Sequence, residues 1–235
     1  MTQPIELYYY PTPNGWKISI ALEEMGLAYT MVPVMIGQGD QFKPEFLKFS
    51  PNNRMPAIID PNGPGGQPIS VFESGAILQY LARKTGTFYG SNEREQVAVE
   101  EWLMWQMGGL GPMAGQAHHF RQYCDEQIPY AIERYTNEVN RLYGVMNRRL
   151  ATREYLADDY SIADMACWGW ILPYERQGQD LNDTPHLKRW FEAISERPAV
   201  KAGFALGAEL RGDLSEQSEA VAAAKKVLFG QKSRD

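Results

Sequence analysis

Residues 8–17 read YYYPTPNGWK, and this stretch decides the fold more than any other part of the chain. It predicts a short buried strand that passes through two prolines directly into a helix. Thr12 is a favourable N-cap, and Pro13 suits the first helical position, where a backbone N–H is not needed. Apolar side chains then recur with helical periodicity until Gly26, which provides a stop.

The junction between this strand and this helix also predicts chemistry. Thr12 and Asn14 bring a hydroxyl and an amide to the helix N-terminus, where backbone N–H groups and the helix dipole favour an anion such as a thiolate. Thr12 can also serve simply as a cap, and the two roles are compatible. The neighbouring Tyr8, Tyr9 and Tyr10 are interpreted as strand packing, with Tyr10 the one most open to a functional role.

The bulk composition excludes several classes of protein. The chain has 235 residues, 44% of them hydrophobic, and its net charge of −6 argues against a nucleic-acid or anionic membrane surface. Its two cysteines, Cys124 and Cys167, are too few for a disulfide framework and fit a reducing compartment. No apolar run reaches the roughly 18 residues of a membrane span, and the first residues do not resemble a signal peptide. We therefore expect a cytoplasmic protein.

The first part of the chain alternates strands and helices. Hydrophobic, β-branched and aromatic residues predict strands at Ile5–Tyr10, Tyr29–Val34, Ala57–Asp60 and Ile69–Phe72. A helix follows at Glu73–Arg83, so the order is βαβ, a long loop, ββ and α. The loop from Met35 to Pro56 is long enough to suggest a function of its own.

From Glu93 onward the periodicity is helical and no strand is predicted. The expected helices are Arg94–Met107, Ile128–Leu150, Ser161–Glu175 and Thr184–Glu196. Residues 108–112, GGLGP, predict a break or kink, and Arg197-Pro198 predicts the end of the last strong helix. Residues 208–235 read as a polar tail in which Ala220–Phe229 forms at most one marginal helix.

Three separate motifs resemble the cytosolic glutathione transferases. Residues 52–57, NNRMPA, resemble the family's loop with a cis-proline before the third strand. Residues 72–77, FESGAI, resemble its γ-glutamyl-binding segment, and Ser161-Ile162-Ala163-Asp164 resembles its helical capping box. The resemblance covers about residues 5–205. It implies a thioredoxin-like, glutathione-binding domain at 1–87, an all-helical domain at 93–207 and the tail at 208–235, and a homodimer.

Four further stretches are similar to the nu class of this family, whose bacterial members are known for glutathione-dependent disulfide reductase activity. They are TPNG at 12–15, QFKPEF at 41–46, GGLGPM at 108–113 and IPYAIERY at 128–135. The resemblance implies glutathione as co-substrate, with Thr12 and Asn14 as the catalytic residues that activate its thiol. Activation by about two pKa units requires roughly 2.7 kcal/mol, more than one neutral hydrogen bond supplies, so the donors must act together.

The resemblance also assigns the residues that bind glutathione. Glu73 and Ser74 begin a helix, where Ser74 and backbone N–H groups suit the γ-glutamyl carboxylate and Glu73 suits the α-ammonium group. Plain helix capping is the alternative for both. A cis bond before Pro56 exposes the main chain of Met55 for strand-like pairing with the tripeptide. Gln41 and Arg54 are assigned to the glutathione backbone and its glycyl carboxylate, although either can be a solvated loop residue.

Arg134 extends this interpretation to a second glutathione. The nu-class pattern implies that its guanidinium binds the carboxylate of a second tripeptide, whereas a solvated helix face or an intrahelical ion pair with Glu138 is the ordinary alternative. With two glutathiones, or one glutathione disulfide, the site performs disulfide exchange without a cysteine of its own. Conjugation to hydrophobic electrophiles and a non-catalytic glutathione-binding module remain open as alternatives.

The remaining reactive side chains carry no prediction of catalysis. His118 and His119 are adjacent and point apart on a helix, so no metal site is predicted. Cys167 has helical spacing with apolar neighbours and is expected in the core, while Cys124 lies in a polar stretch and is expected to be exposed.

Overall fold

In a computed structural model, which describes residues 3–211 and 218–232, the chain begins with a four-stranded mixed sheet. The strands are β1 (Ile5–Tyr9), β2 (Tyr29–Pro33), β3 (Ala57–Asp60) and β4 (Ile69–Phe72). Their order in the sheet is β2-β1-β3-β4, with β1 parallel to β2 and antiparallel to β3, and β3 antiparallel to β4. All four predicted strands are confirmed, and β1 and β2 each end one residue earlier than expected.

Alternation along β1 gives the sheet two different faces. Leu7 and Tyr9 are fully buried on one face, where Leu7 pairs with Met31 of β2 and Ile58 of β3. Tyr8 faces the other way and packs its ring on Phe46 and Phe49. Successive strand residues point to opposite faces, so the tyrosine run serves both sides of the sheet.

Ten helices make up most of the remaining described chain. Those of the first part are α1 (Pro13–Glu24), α2 (Pro44–Leu47) and α3 (Ser74–Thr85). Those that follow are α4 (Glu93–Trp105), α5 (Gly111–His118), α6 (Pro129–Leu150), α7 (Ile162–Ile171), α8 (Pro185–Ser195), α9 (Pro198–Ala205) and α10 (Glu219–Phe229). The predicted architecture, a βαβ-ββα unit followed by helices, is confirmed. In the part of the chain that the structure describes, no helix is long and apolar enough to cross a bilayer.

The break or kink predicted at residues 108–112 takes the form of a π-helical turn over residues 106–110, which joins α4 directly to α5. A Cβ at Gly111 would lie 2.6 Å from Gln106 Nε2 and 3.3 Å from the indole nitrogen of Trp170, so the Gln106 side chain would have to shift to admit it. The predicted helix end at Arg197-Pro198 is confirmed, since α8 ends at Ser195. The sequence analysis missed α9, which begins with Pro198 at its first helical position.

The tail contains a helix that packs against two parts of the molecule. In α10, Ala224 lies over Gly37, and Phe229 makes ring contacts with His119 and Tyr123. Lys225 forms an ion pair with Asp125 at 3.0 Å. The marginal helix predicted within 208–235 is therefore formed. The rest of that predicted tail, residues 212–217 and 233–235, lies outside the described residues.

Helix α1 is enclosed between the sheet and the helical part of the chain. Gly169 of α7 and Gly203 of α9 make the close approach possible: a Cβ on Gly203 would lie 2.6 Å from the backbone nitrogen of Ile20. Ser19 of α1 donates to the carbonyl of Gly203 at 2.7 Å. Such contacts leave no room for a larger residue at either glycine.

We expect Gly203→Ala to destabilise the protein, because its methyl group must displace the backbone of α1. Overpacking of this kind costs about 1–3 kcal/mol, which corresponds to a fall of roughly 2–12 °C in Tm for a chain of this size. Gly108→Ala is the matched control, since a Cβ at Gly108 meets nothing within 4 Å. Thermal unfolding should show a neutral or slightly higher Tm for that control. Equal Tm values for both variants would contradict the tight packing of α1 on α9.

Candidate functional site

Thr12 caps α1 and keeps a donor free. Its side-chain oxygen accepts the N–H of Gly15 at 3.2 Å, in the extended conformation of an N-cap. Within the described residues its hydroxyl hydrogen has no acceptor, so the hydroxyl can cap the helix and still donate to a guest. The cap and the proline that were predicted for α1 are both confirmed.

A residue of the helical part of the chain orients the side chain of Asn14. Its side-chain oxygen accepts the indole N–H of Trp170, which lies on α7, at 3.2 Å. Its amide NH2 group has no partner in the described ranges, so it remains available as a donor. Trp170 is a site residue that sequence reasoning missed, since it lies 156 positions from Asn14 and no local pattern connects the two.

The three tyrosine hydroxyls of residues 8–10 are all engaged elsewhere. Burial, with an acidic neighbour in the case of Tyr8, raises the pKa of Tyr8 and of Tyr9 to about 12. Tyr10, the residue most open to a functional role, donates at 2.7 Å to a backbone carbonyl near the end of the helical region. The acceptors for Tyr8, Tyr9 and Tyr10 are the Glu6 carboxylate, the Leu206 carbonyl and the Leu210 carbonyl.

The start of α3 is a second region of free donors. Glu73 precedes the helix with φ of 67°, and its carboxylate accepts the Asn52 amide at 2.9 Å. No side chain caps α3, and the N–H groups of Ser74 and Gly75 have no partners among the residues described. Four helix-terminal N–H groups normally need an acceptor, so this end suits an anion.

The loop before β3 positions Met55 beside the end of β1. The Met55-Pro56 peptide is cis, as the motif predicted, and the Met55 sulfur accepts the N–H of Tyr10 at 3.0 Å. The N–H and C=O of Met55 have no hydrogen-bond partner in the described chain. Arg54 is exposed, and its carbonyl accepts the hydroxyl of Ser50 at 2.7 Å.

Gln41 differs from the other predicted ligands because it is buried, with 2% of its surface exposed. Its amide nitrogen donates to the carbonyl of Ile36 at 3.0 Å, and its amide oxygen has no partner in residues 3–211 and 218–232. The structure therefore does not bring the Gln41 side chain into contact with the other candidate ligands.

Lys17 is a further residue that the sequence did not single out. It is 1% exposed, and its ammonium group donates to Gln106 Oε1 at 2.7 Å and lies 3.5 Å from the hydroxyl of Ser74. Burial lowers the pKa of Lys17 to about 7. The apolar residues around Lys17 in the sequence of α1 could have indicated that it is buried. Helix periodicity alone, however, does not distinguish a buried lysine from a solvated lysine.

Arg134 lies outside this group, whereas Cys167 is a buried neighbour of Lys17. Arg134 is exposed on α6, and in the described part of the chain its guanidinium has no hydrogen bond or ion pair. Glu138 pairs with Arg141 at 2.7 Å, so the described residues show no ion pair between Arg134 and Glu138, and the exposed Arg134 matches the solvated-face alternative. Burial raises the pKa of the Cys167 thiol well above its usual value, which excludes it as a nucleophile.

Cys124 is half-buried rather than exposed, which corrects the sequence expectation. It lines a groove of about 890 Å³ between α10 and the π-helical turn at His119–Tyr123. Neither Thr12, Asn14 nor Ser74 lines this groove, so it is separate from the junction of β1 and α1.

A thioredoxin-like domain with donors at the β1–α1 junction, followed by an all-helical domain, defines the class of the glutathione transferases. Residues 3–83 match the family model of the glutathione S-transferase N-terminal domain, and residues 123–198 match that of the C-terminal domain. The chain belongs to the glutathione S-transferase family.

The chain is also similar to individual proteins of this family. The chain is similar to the disulfide-bond oxidoreductase YfcG of Escherichia coli, with 54% identity over 83% of this chain and 92% of the relative. A Pseudomonas putida glutathione transferase, solved with one glutathione disulfide per subunit, superposes with a TM-score of 0.83 and 44% identity over 87% and 92% of the two chains. A Burkholderia graminis glutathione transferase, solved with two glutathione molecules per subunit, has a TM-score of 0.83 and 42% identity over 89% and 90%.

Proposed function

We propose that the protein is a glutathione-dependent disulfide-bond reductase. The thiolate of one bound glutathione attacks a substrate disulfide, which releases a thiolate and leaves a mixed disulfide. A second glutathione thiolate resolves the mixed disulfide, so two glutathiones are oxidised to glutathione disulfide while the substrate becomes two thiols. The observation that carries the proposal is the pair of unengaged neutral donors on Thr12 and Asn14 where no tyrosine hydroxyl is free. The similar protein YfcG is named a disulfide-bond oxidoreductase, which supports the same type of reaction for this chain.

Glutathione itself is the co-substrate in this proposal, and the start of α3 takes its γ-glutamyl end. Ser74 and the uncapped N–H groups bind the carboxylate, and Glu73 pairs with the α-ammonium group. The free N–H and C=O of Met55 support strand-like pairing with the cysteinyl unit, next to cis-Pro56. Arg54 is exposed and suits the glycyl carboxylate. For Gln41 a role requires its amide to turn from Ile36.

The sulfur is then activated by neutral groups acting together. A free thiol with a pKa near about 8.5 is only a few per cent ionised at neutral pH. A hydrogen bond from Thr12 or Asn14 contributes roughly 0.5–1.5 kcal/mol, and the N-terminus of α1 adds about 0.3–1 kcal/mol. The sum approaches the roughly 2.7 kcal/mol of a two-unit shift, whereas no single term does.

Removing one donor should therefore weaken the reaction without abolishing it. We expect Thr12→Ala or Asn14→Ala to lower kcat/KM by about 2–12-fold, and the double variant to lower it further. Tyr10→Phe is the matched control, because the Tyr10 hydroxyl is donated to Leu210. The assay couples glutathione to a dialkyl disulfide and is repeated with an aryl halide, the substrate of a conjugating enzyme.

Two results would contradict the proposed chemistry. The first is a bound glutathione thiol whose pKa, followed by thiolate absorbance, equals its pKa in free solution. The second is faster turnover of the aryl halide than of the disulfide, which would favour conjugation instead. Glutathione binding with no turnover of either substrate would favour a non-catalytic binding module.

A second glutathione is bound, in our proposal, by Arg134. Support comes from its exposed guanidinium, which has no ion-pair partner among the described residues, and from the two glutathiones per subunit in the Burkholderia graminis relative. A guanidinium binds a carboxylate through two parallel hydrogen bonds. One glutathione disulfide would occupy the same two positions, as in the Pseudomonas putida relative.

Arg134→Gln should weaken binding of the second glutathione selectively. A charge-assisted pair contributes about 1.5–3 kcal/mol, so we expect a loss of roughly 10–150-fold in its affinity and little change in the first. Arg141→Gln removes the same charge from the same helix, but its guanidinium is paired with Glu138, and it should leave both affinities unchanged. Calorimetric titration with glutathione measures both steps. Similar losses in the two variants would assign the effect to net charge.

We also propose that the protein is a homodimer in the cytoplasm. Large apolar side chains are exposed on β4 and on α4, where Val97 and Met104 are seven residues apart and share one face. Exposed apolar patches of this kind are typical of interfaces between subunits. The free thiols of Cys124 and Cys167 are compatible with a reducing compartment.

Sedimentation should detect this dimer and its loss. We expect wild-type protein to sediment with twice the chain mass, and Met104→Glu to shift the equilibrium toward the monomer, since a charge buried in an interface is unfavourable. Lys188→Glu, a change at a half-buried position on α8, is the control and should remain dimeric. A wild-type monomer at micromolar concentration would contradict the proposal.

A further inference from the structure

Lys17 is a buried cation without a buried counter-ion. Its ammonium group contacts Gln106 Oε1, the Ser74 hydroxyl and the Met107 sulfur, at 2.7, 3.5 and 3.5 Å. All of these partners are neutral, and no carboxylate of the described chain lies within ion-pair distance of it. Lysines are rarely buried without an ion-pair partner, so the surroundings of Lys17 are unusual.

The neighbours of Lys17 come from three elements. Ser74 begins α3, Gln106 and Met107 form part of the π-helical turn after α4, and Cys167 lies on α7. The titratable groups that act on Lys17 are the buried thiol of Cys167 and the exposed carboxylate of Glu73, which is engaged with Asn52. Neither supplies a buried negative charge, since burial raises the pKa of Cys167 well above its usual value.

A carboxylate of glutathione can supply the negative charge that Lys17 lacks. We propose that Lys17 is a positioning residue that stabilises the γ-glutamyl carboxylate of glutathione from behind Ser74, and that glutathione binding takes up a proton onto its amine. The inference rests on the proposed function, because it needs that carboxylate at the start of α3. A carboxylate oxygen accepting the Ser74 hydroxyl at about 2.7 Å would lie at most about 6 Å from the lysine nitrogen.

The negative charge of the carboxylate makes proton uptake, and not proton release, the expected result of glutathione binding. Burial lowers the pKa of Lys17 to about 7 in the free protein, so near neutral pH a substantial fraction is uncharged. An opposite charge within about 4–6 Å raises such a pKa by about 1–3 units. Since the complex then holds the proton more tightly, affinity is highest below the pKa of the free protein. It falls as the pH rises toward the pKa of the complex.

The test uses S-methylglutathione, which has no thiol whose own ionisation would act in the opposite direction. Calorimetry in buffers of different ionisation enthalpy should show proton uptake near pH 7.5, and affinity should fall about 6–25-fold between about pH 6.5 and 8.5. In Lys17→Met the uptake should vanish and the affinity should become nearly independent of pH in this range. Lys188→Met, which removes a half-buried lysine of α8 that contacts Asn182, should behave as wild type.

Each outcome distinguishes this inference from the proposed function. Absence of proton uptake by the wild-type protein overturns the role of Lys17 without any variant, even where Lys17→Met fails to fold. A uniform loss of affinity in Lys17→Met, with the wild-type pH slope retained, also overturns it, because a purely structural role predicts that result. If wild-type protein does not bind S-methylglutathione at all, the proposed function itself fails.

Discussion

Helix α1 is buried on both sides, and the geometry of the site depends on that packing. One side covers the sheet face that carries Leu7 and Tyr9, and the other is pressed against α7 and α9 through Gly169 and Gly203. The first turn of α1 is therefore fixed by two parts of the chain at once. Catalytic donors must be held to within a fraction of an ångström to be effective, and a helix enclosed in this way provides that rigidity without any special backbone strain.

Neutral donors and a cation occupy different ends of the proposed site, the β1–α1 junction and the start of α3. Among the described residues, the groups proposed to face the sulfur, Thr12 and Asn14, are neutral, whereas Lys17 lies behind Ser74, where the γ-glutamyl carboxylate is proposed. A cation beside the sulfur would lower the pKa of the thiol further, but the nucleophilicity of a thiolate falls as its pKa falls. Exchange is fastest when the attacking thiol has a pKa near the ambient pH, so moderate activation by Thr12 and Asn14 suits disulfide exchange better than a full charge would.

The features that the sequence predicted correctly are those that depend on neighbours along the chain. The cap at Thr12, the capping box at Ser161 and all four strands follow from local residue preferences, and each is present. The hydrogen bond from Trp170 to Asn14 depends on how α7 packs on α1, which no short pattern encodes. The burial of Lys17 is similar, because it results from three elements converging on one side chain. The contact of Gly111 with Trp170 of α7, beside the π-helical turn at 106–110, is likewise not encoded by any short pattern.

The loop that contains Gln41 shows how a contact distant in sequence can determine a local position. An isolated helix as short as α10 is marginal in water, so its stability comes from Ala224 on Gly37 and from Phe229 on the rings of the π-helical turn His119–Tyr123. Gly37 directly follows Ile36, whose carbonyl holds the Gln41 amide. The packing of α10 therefore supports the same backbone that keeps Gln41 turned inward. Gln41 is 2% exposed, so its amide can reach a bound tripeptide only by leaving the Ile36 carbonyl and coming out from under the chain that covers it.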